Sequence, residues 1–191
     1  MGALIPMPSA PSQHKTLAPS GFDDPFAMLD ACHERVHRML ALLQRLQAHL
    51  EREGCDKQAQ NAARDILRYF EQAAPHHHLD EERHLVPVLR ACGADSDHAL
   101  ADRMLGQHVE MATQWADLRR VLLSLADADP AVSHLDAARV QAFVRLYQDH
   151  IALEDEHIYP RCRSVMDAAA LASAGDEMAR RRGVPTAAPA V

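Results

Sequence analysis

Apolar residues recur every three or four positions along four stretches of the chain, with polar residues between them. That period places the apolar side chains on one face of a helix, so the pattern predicts four amphipathic helices. Capping and turn-forming residues mark their ends. The first is predicted to begin after Asp23-Asp24-Pro25 and to end near Gly54, and the second to begin after Cys55-Asp56 and to end at Cys92-Gly93. The third is predicted to begin after Asp95-Ser96-Asp97 and to continue through Leu125, and the fourth to follow Asp129-Pro130 and Ser133 and to end before Pro160.

Short connections join these predicted helices, so consecutive helices should be antiparallel neighbours. The expected fold is all-α, an up-down-up-down four-helix bundle over residues 22–165, in which Pro75 bends the second helix without ending it. Residues 1–21 are rich in proline and are expected to form a disordered tail. Residues 166–191 are expected to form a short helix and a flexible tail, with the arginines at 180–182 solvated.

Each predicted apolar face also carries polar residues of metal-binding type. They are His33 on the first helix, His77 and Glu81 on the second, His108 on the third, and His150 and Glu154 on the fourth. No lysine or arginine shares these faces. Two buried glutamates without a positive partner would each cost several kcal/mol, so bound metal ions best explain a polar centre in this core.

Part of this set belongs to a pattern that the chain contains twice, as His77-x-x-x-Glu81-x-x-His84-x-x-Pro87 and as His150-x-x-x-Glu154-x-x-His157-x-x-Pro160. Residues four apart on a helix lie about 40° from one another, so each copy puts an imidazole beside a carboxylate. Six such ligands suit two ions. Each carboxylate can bridge the pair while two imidazoles complete each ion, which leaves an open position for a small ligand. The alternative is a bundle whose core histidines are held by hydrogen bonds alone.

The Glu-x-x-His segments that end at His84 and His157 also match the motif of ferritin-like di-iron proteins. That site needs a further carboxylate from each of the other two helices, whose faces offer histidine only, because Glu34 and Glu110 point away. We therefore expect His84 and His157 to lie one turn beyond the site, as proton-handling groups or as packing partners.

Composition narrows the class of protein. Apolar residues make up 48% of the chain and aromatic residues only 4%, which favours aliphatic helix packing over sheets. Thirteen histidines exceed ordinary usage, although His76 and His78 lie off the apolar face and are expected to be solvated. The net charge of −7 gives no reason to expect nucleic-acid binding.

The chain has no long apolar run and no basic start followed by an apolar stretch, so neither a membrane span nor a secretory signal is expected. A cytoplasmic location follows as the default. Four cysteines without any C-x-x-C spacing fit reduced thiols.

Over about residues 22–163 the chain resembles the hemerythrin-like proteins, the HHE cation-binding family. The likeness rests on His33-Glu34-Arg35, on Tyr69-Phe70 followed by His77-His78-Leu79-Asp80-Glu81-Glu82 and Leu85-Val86-Pro87, on His108, and on His150-Ile151-x-x-Glu154 to Ile158-Tyr159-Pro160. The resemblance implies a four-helix bundle with a non-haem centre of two iron ions. These would be bridged by the carboxylates of Glu81 and Glu154 and by an oxo or hydroxo group.

The chain departs from the family's better-known branches. Oxygen-carrying hemerythrins have a second histidine where this chain has Ala112, and they have an aspartate at the position of Asp155, whereas here Glu154 takes the bridging position. Four histidines and two glutamates look more like the iron-sulfur-repair branch that responds to nitric oxide. That branch carries an additional cysteine-containing N-terminal domain, and this chain has a proline-rich tail in its place.

We therefore expect a protein that binds or senses a small ligand such as oxygen, nitric oxide or peroxide. One alternative is a di-iron enzyme with peroxidase-like or nitric-oxide-reducing activity, in which His84 or His157 would donate a proton. Another is a redox-silent module for metal storage or iron sensing, and the same donors also accept manganese or zinc. Sequence alone does not predict the oligomeric state.

Overall fold

Helices form almost all of the computed structural model, which describes residues 21–129, 131 and 134–184. They are α1 (Pro25–Glu53), α2 (Lys57–Arg68), α3 (Ala74–Cys92), α4 (Asp95–Ala126), α5 (Ala137–Leu153), α6 (Tyr159–Val165) and α7 (Ala168–Arg181). Two π-helical segments, Tyr69–Ala73 and Glu154–Ile158, join α2 to α3 and α5 to α6 without a break. The tail predicted for residues 1–21, apart from Gly21, and the end of the predicted C-terminal tail, residues 185–191, lie outside the described residues.

Aspartate side chains cap the starts of four helices. Asp24 accepts a hydrogen bond from the backbone N–H of Ala27 at 3.0 Å, and Asp56 accepts one from Ala59 at 2.8 Å. Asp136 and Asp167 act in the same way at the starts of α5 and α7. These caps satisfy backbone donors that have no partner within the helix, which is why the predicted helix starts are close to the observed ones.

Two predicted boundaries differ from the structure. The third helix begins at Asp95 instead of after Asp97, and Asp97 is buried in its first turn, where it accepts hydrogen bonds from Arg161 of α6. The fourth helix continues through Pro160 to Val165.

The π-helical segments explain how helices continue through two prolines. Ala74 N–H bonds to the Tyr69 carbonyl and Tyr159 N–H bonds to the Glu154 carbonyl, each five residues back, and Pro75 or Pro160 follows directly. A proline lacks a backbone N–H and crowds the carbonyl four residues earlier. In both cases that carbonyl lies in the widened turn, which gives the ring room.

Two apolar clusters fill the bundle, one on each side of a polar layer. The larger includes Leu40, Ile66, Leu122 and Phe143, and the smaller includes Phe26, Leu29, Leu89, Met104 and Ile158. Along α1 and along α4 the chain passes from the smaller cluster to the larger. Along α2 and α3, and again along α5 and α6, it passes from the larger cluster back to the smaller. The directions therefore alternate, and the all-α up-down-up-down bundle predicted from the sequence is confirmed.

The last helix, α7, packs along α1 and α3. The carboxylate of Asp80 on α3 is fully buried and lies 2.7 Å from Arg181 and 2.6 Å from Arg182. The prediction that these arginines are solvated was therefore wrong for two of the three, because they pair with a buried acid. Gly175 lets α7 approach closely, since a Cβ atom there would lie 1.9 Å from the carbonyl oxygen of Phe22.

None of the helices in the described part of the chain has a segment long and apolar enough to cross a bilayer.

Candidate metal centre

The polar layer consists of the six side chains that the sequence singled out. They are His33 on α1, His77 and Glu81 on α3, His108 on α4, His150 on α5, and Glu154 at the start of the second π-helical segment. None is more than 5% exposed. The structure thus brings the six together at one depth in the core, because each helix places its polar residue between the two apolar clusters.

Their donor atoms form two overlapping groups of four, each group within 4.8 Å. We call the pair His33 and His77 the first half of the site, and the pair His108 and His150 the second half. Glu81 and Glu154 belong to both groups. This is the arrangement expected for two ions that share their carboxylates.

Each glutamate spans the two halves with its two oxygens. Glu81 has Oε1 3.2 Å from His77 Nε2 and Oε2 3.4 Å from His108 Nε2. Glu154 has Oε2 3.0 Å from His33 Nε2 and Oε1 2.9 Å from His150 Nε2. All four imidazoles therefore present Nε2 to the centre.

The outer nitrogens of three imidazoles have partners that hold the rings in place. His33 Nδ1 lies 3.1 Å from Asp155, and His108 Nδ1 lies 2.8 Å from Glu82. His150 Nδ1 lies 3.1 Å from the side-chain oxygen of Gln107. An N–H donated outward from Nδ1 leaves the lone pair of Nε2 directed inward, as in histidines that bind metals.

The sequence contained a signal for two of these partners. Glu82 directly follows Glu81, and Asp155 directly follows Glu154. Adjacent residues point about 100° apart around a helix, so Glu82 and Asp155 point to the side of the glutamate before them. From there each acid reaches a histidine on the neighbouring helix. The sequence predictions did not assign Glu82, Asp155 or Gln107 to the site.

The inward-facing atoms fit positive ions better than hydrogen bonds. Within the described residues, both oxygens of Glu154 and Oε2 of Glu81 are buried without a hydrogen-bond partner. The imidazole Nε2 atoms lie 2.9 to 3.4 Å from these oxygens but do not make hydrogen bonds to them. A buried polar atom left without a partner costs about 1–3 kcal/mol, and an ionised one more, so positive charge between these oxygens would stabilise the layer.

Protonated histidines could supply only part of that charge. Burial lowers the pKa of His33 and of His108, but Glu154 and Glu81 respectively counteract it, and the pKa of each ring ends above its usual value. Burial lowers the pKa of His77 and of His150 to about 3, so both rings are uncharged at neutral pH. Neutral imidazoles beside carboxylates are a suitable donor set for iron, manganese or zinc.

Two side chains that the sequence predictions left out of the site lie against it. The hydroxyl of Tyr159 donates a hydrogen bond to Glu81 Oε1 at 2.7 Å and lies 3.1 Å from His33 Nε2. Burial and the nearby carboxylates hold the pKa of this phenol well above its usual value. His78 stacks on His108 with ring centroids 4.1 Å apart, and its Nε2 is buried without a partner in the described chain. The expectation that His78 is solvated was therefore wrong.

His84 and His157 do not join the donor groups. His84 Nε2 lies 2.9 Å from Glu177 of α7, and His157 is exposed. Neither makes a hydrogen bond to a side chain of the polar layer in the described chain, the contact that the enzyme alternative would use. Glu34 and Glu110 are exposed, so a ferritin-like carboxylate set is not formed.

A surface cavity of about 330 Å³ leads to the first half of the site. His33 and Tyr159 lie in its wall, and the charged residues that line it are Asp30, Glu34, Asp155 and Arg163. Three acids against one arginine leave the opening acidic, which attracts cations towards His33 and Tyr159.

The sequence of this chain matches the model of the hemerythrin HHE cation-binding domain over residues 24–162. It is also 32% identical over 163 residues to a protein of Haemophilus influenzae described as uncharacterized. That similarity covers 85% of this chain and 92% of the relative. All six residues of the polar layer lie inside the range that the family model matches.

Proposed function

The chain belongs to the hemerythrin HHE cation-binding family, and from that premise we propose that it is a non-haem di-iron protein that binds or senses oxygen, nitric oxide or peroxide. Membership of the family makes it a metal-binding helical protein. The proposal adds that the ions are two irons, that the six side chains of the polar layer hold them, and that a small molecule is the ligand.

The observation that carries the proposal is the convergence of four imidazole Nε2 atoms and four carboxylate oxygens in one buried layer. Three of those oxygens lack a hydrogen-bond donor among the described residues. A pair of irons bound there would supply a redox couple and an open coordination position for a diatomic or peroxide ligand.

The side chains around the layer have three roles in this proposal. Glu81 and Glu154 would each offer one oxygen to each half and so would hold both ions. Asp155, Glu82 and Gln107 hold the imidazoles in the tautomer that presents a lone pair inward. The apolar clusters would shield the layer from water on two sides, so a bound ligand would meet few competing donors there.

The protein as purified provides the test, by metal analysis and an ultraviolet-visible spectrum of its oxidised form. We expect two irons per chain and oxo-bridge charge-transfer bands that change reversibly when oxygen, nitric oxide or peroxide is added. Protein stripped of metal by a chelator is the control and should lack these bands while keeping its helical circular dichroism.

Other outcomes would contradict the proposal in distinct ways. Continuous consumption of peroxide or nitric oxide would favour the enzyme alternative over a binding protein. Bound iron that responds to none of the three ligands would favour storage or iron sensing. A single zinc, or no metal with the helices intact, would refute the di-iron centre itself.

A further inference from the structure

The hydroxyl of Tyr159 lies inside the first half of the site. It is 2.7 Å from Glu81 Oε1 and 3.1 Å from His33 Nε2, and the whole residue is 2% exposed. The ring is held in place, because it stacks on His33 at 5.4 Å with an interplanar angle of 11° and meets the edge of Phe26 at 5.7 Å. The phenolic oxygen is therefore directed at the same region as the donor atoms of His33 and Glu81.

Its distances are those of neighbouring ligands on one ion. Bonds of about 2.0–2.2 Å from a metal to nitrogen or oxygen put adjacent donors about 3 Å apart. The imidazole and carboxylate atoms of the layer are 2.9 to 3.4 Å apart, and the phenolic oxygen lies at similar distances, 2.7 and 3.1 Å, from two of them. By spacing alone, the oxygen of Tyr159 is equivalent to the other donors.

When His33 is uncharged, the hydrogen atoms available do not satisfy these contacts. The hydroxyl has one hydrogen, which it donates to Glu81. When His33 Nδ1 donates its N–H to Asp155, His33 Nε2 presents a lone pair to the phenolic oxygen at 3.1 Å. Two electron-rich atoms then face each other in a buried site, an arrangement that a cation between them would stabilise.

We propose that the phenolic oxygen of Tyr159 is a further ligand of the ion held by His33 and His77, which rests on the proposed metal centre. When the oxygen-to-metal bond forms, the O–H bond breaks and the proton leaves to water, without any transfer of electrons. The first half then has five donors from the protein and the second half has four. The position open to a small ligand is accordingly on the second half, beside His108 and His150.

The test is resonance Raman and visible absorption spectroscopy of the ferric, iron-loaded full chain. A phenolate bound to ferric iron gives a charge-transfer band in the visible region, and excitation in that band enhances the ring vibrations of the phenolate. We expect both signals in the natural protein and their complete loss in Tyr159→Phe, with the iron content unchanged. The matched control is Tyr147→Phe, which removes another buried phenol and should keep both signals.

Iron-loaded natural protein without phenolate signals, or signals that persist in Tyr159→Phe, would overturn this inference while leaving the di-iron centre intact. Natural protein that binds no iron would overturn the proposed function as well. If Tyr159→Phe does not fold, ring-deuterated tyrosine in the natural sequence still decides. If the ligand is a tyrosine, deuteration of its ring shifts the enhanced bands. The chain has three tyrosines, so bands that are retained in both Tyr147→Phe and Tyr69→Phe must come from Tyr159.

Discussion

The two halves of the polar layer have the same donors and different surroundings. Each has two imidazoles and one oxygen from each glutamate. The first half also has the hydroxyl of Tyr159 and the acidic surface cavity beside it. The second half has the stacked ring of His78, and the residue that corresponds to Tyr159 in the repeated pattern is Val86.

His78 is not equivalent to Tyr159 as a donor. Its ring is nearly parallel to that of His108, with an angle of 10° and centroids 4.1 Å apart. An imidazole nitrogen is part of its ring and its lone pair lies in the ring plane, so His78 and His108 cannot both direct Nε2 at one ion unless one ring rotates, although a nitrogen of His78 lies within 4.8 Å of nitrogens of His108 and His150. The phenolic oxygen of Tyr159 lies outside its ring and can bond out of the ring plane, so the nearly parallel ring of His33 does not exclude it as a donor. The repeated sequence thus produces a symmetric set of donors, and its flanking residues make the two halves chemically unequal.

The largest effect should come from the carboxylates that the halves share. Glu81→Ala or Glu154→Ala removes one oxygen from each half and the negative charge that balances the ions, so both ions should be lost while the helices persist. Metal analysis with far-ultraviolet circular dichroism measures this. Glu156→Ala, which removes an exposed carboxylate, is the control and should keep its metal. An unchanged metal content in either of the first two variants would refute the ligand assignment.

A histidine from one half should matter mainly to that half. His33→Ala should weaken the first half and His108→Ala the second, and either variant should lower the iron content by about half because the shared carboxylates remain. The matched control for His33→Ala is His37→Ala, an exposed histidine one turn along α1. Loss of all iron from both variants would mean that neither half holds an ion alone.

The acids behind the imidazoles should have a smaller effect. Asp155→Asn and Glu82→Gln each leave the ligands intact but weaken the hold on His33 or His108, so metal affinity should fall by about 10- to 100-fold. Competition with a chelator of known affinity measures it. Comparison of the two variants shows which half depends more on its outer acid. Affinities equal to that of the natural protein would show that packing alone orients the rings.

The sequence predicted the helices and the six inward-facing residues because both follow from periodicity along one chain segment. Tyr159 and His78 are different, since their positions depend on how the helices are rotated against one another. The π-helical segment at Glu154–Ile158 adds a residue to its turn just before Tyr159. A pattern based on about 3.6 residues per turn does not locate a side chain beyond such a segment.

The attachment of α7 was missed for a related reason. Asp80 looked like one more acid in an acidic segment, and Arg181 and Arg182 looked like solvated charge near the end of the chain. Only the fold brings them together, at 2.7 and 2.6 Å from the buried carboxylate. Ion pairs between residues far apart in sequence leave no periodic signal.

The two halves also differ in what covers them, because α7 packs on α1 and α3, the helices that carry the first half. Hydrogen bonds from Arg181 and from His84 lower the pKa of Glu177 from its ordinary value of 4.5 to about 2. A pKa that is lower in the folded state stabilises the fold above about pH 4.5, and this contribution is lost as the pH falls towards 2.

The free energy of unfolding should therefore be slightly larger for the natural protein than for Glu177→Gln above about pH 4.5. This difference between the two proteins should shrink as the pH falls from about 4.5 towards 2. Urea denaturation of the metal-free proteins at several pH values measures the difference, with Glu156→Gln as the exposed control. A difference that stays constant down to pH 2 would show that the charge of Glu177 does not hold α7 against the first half.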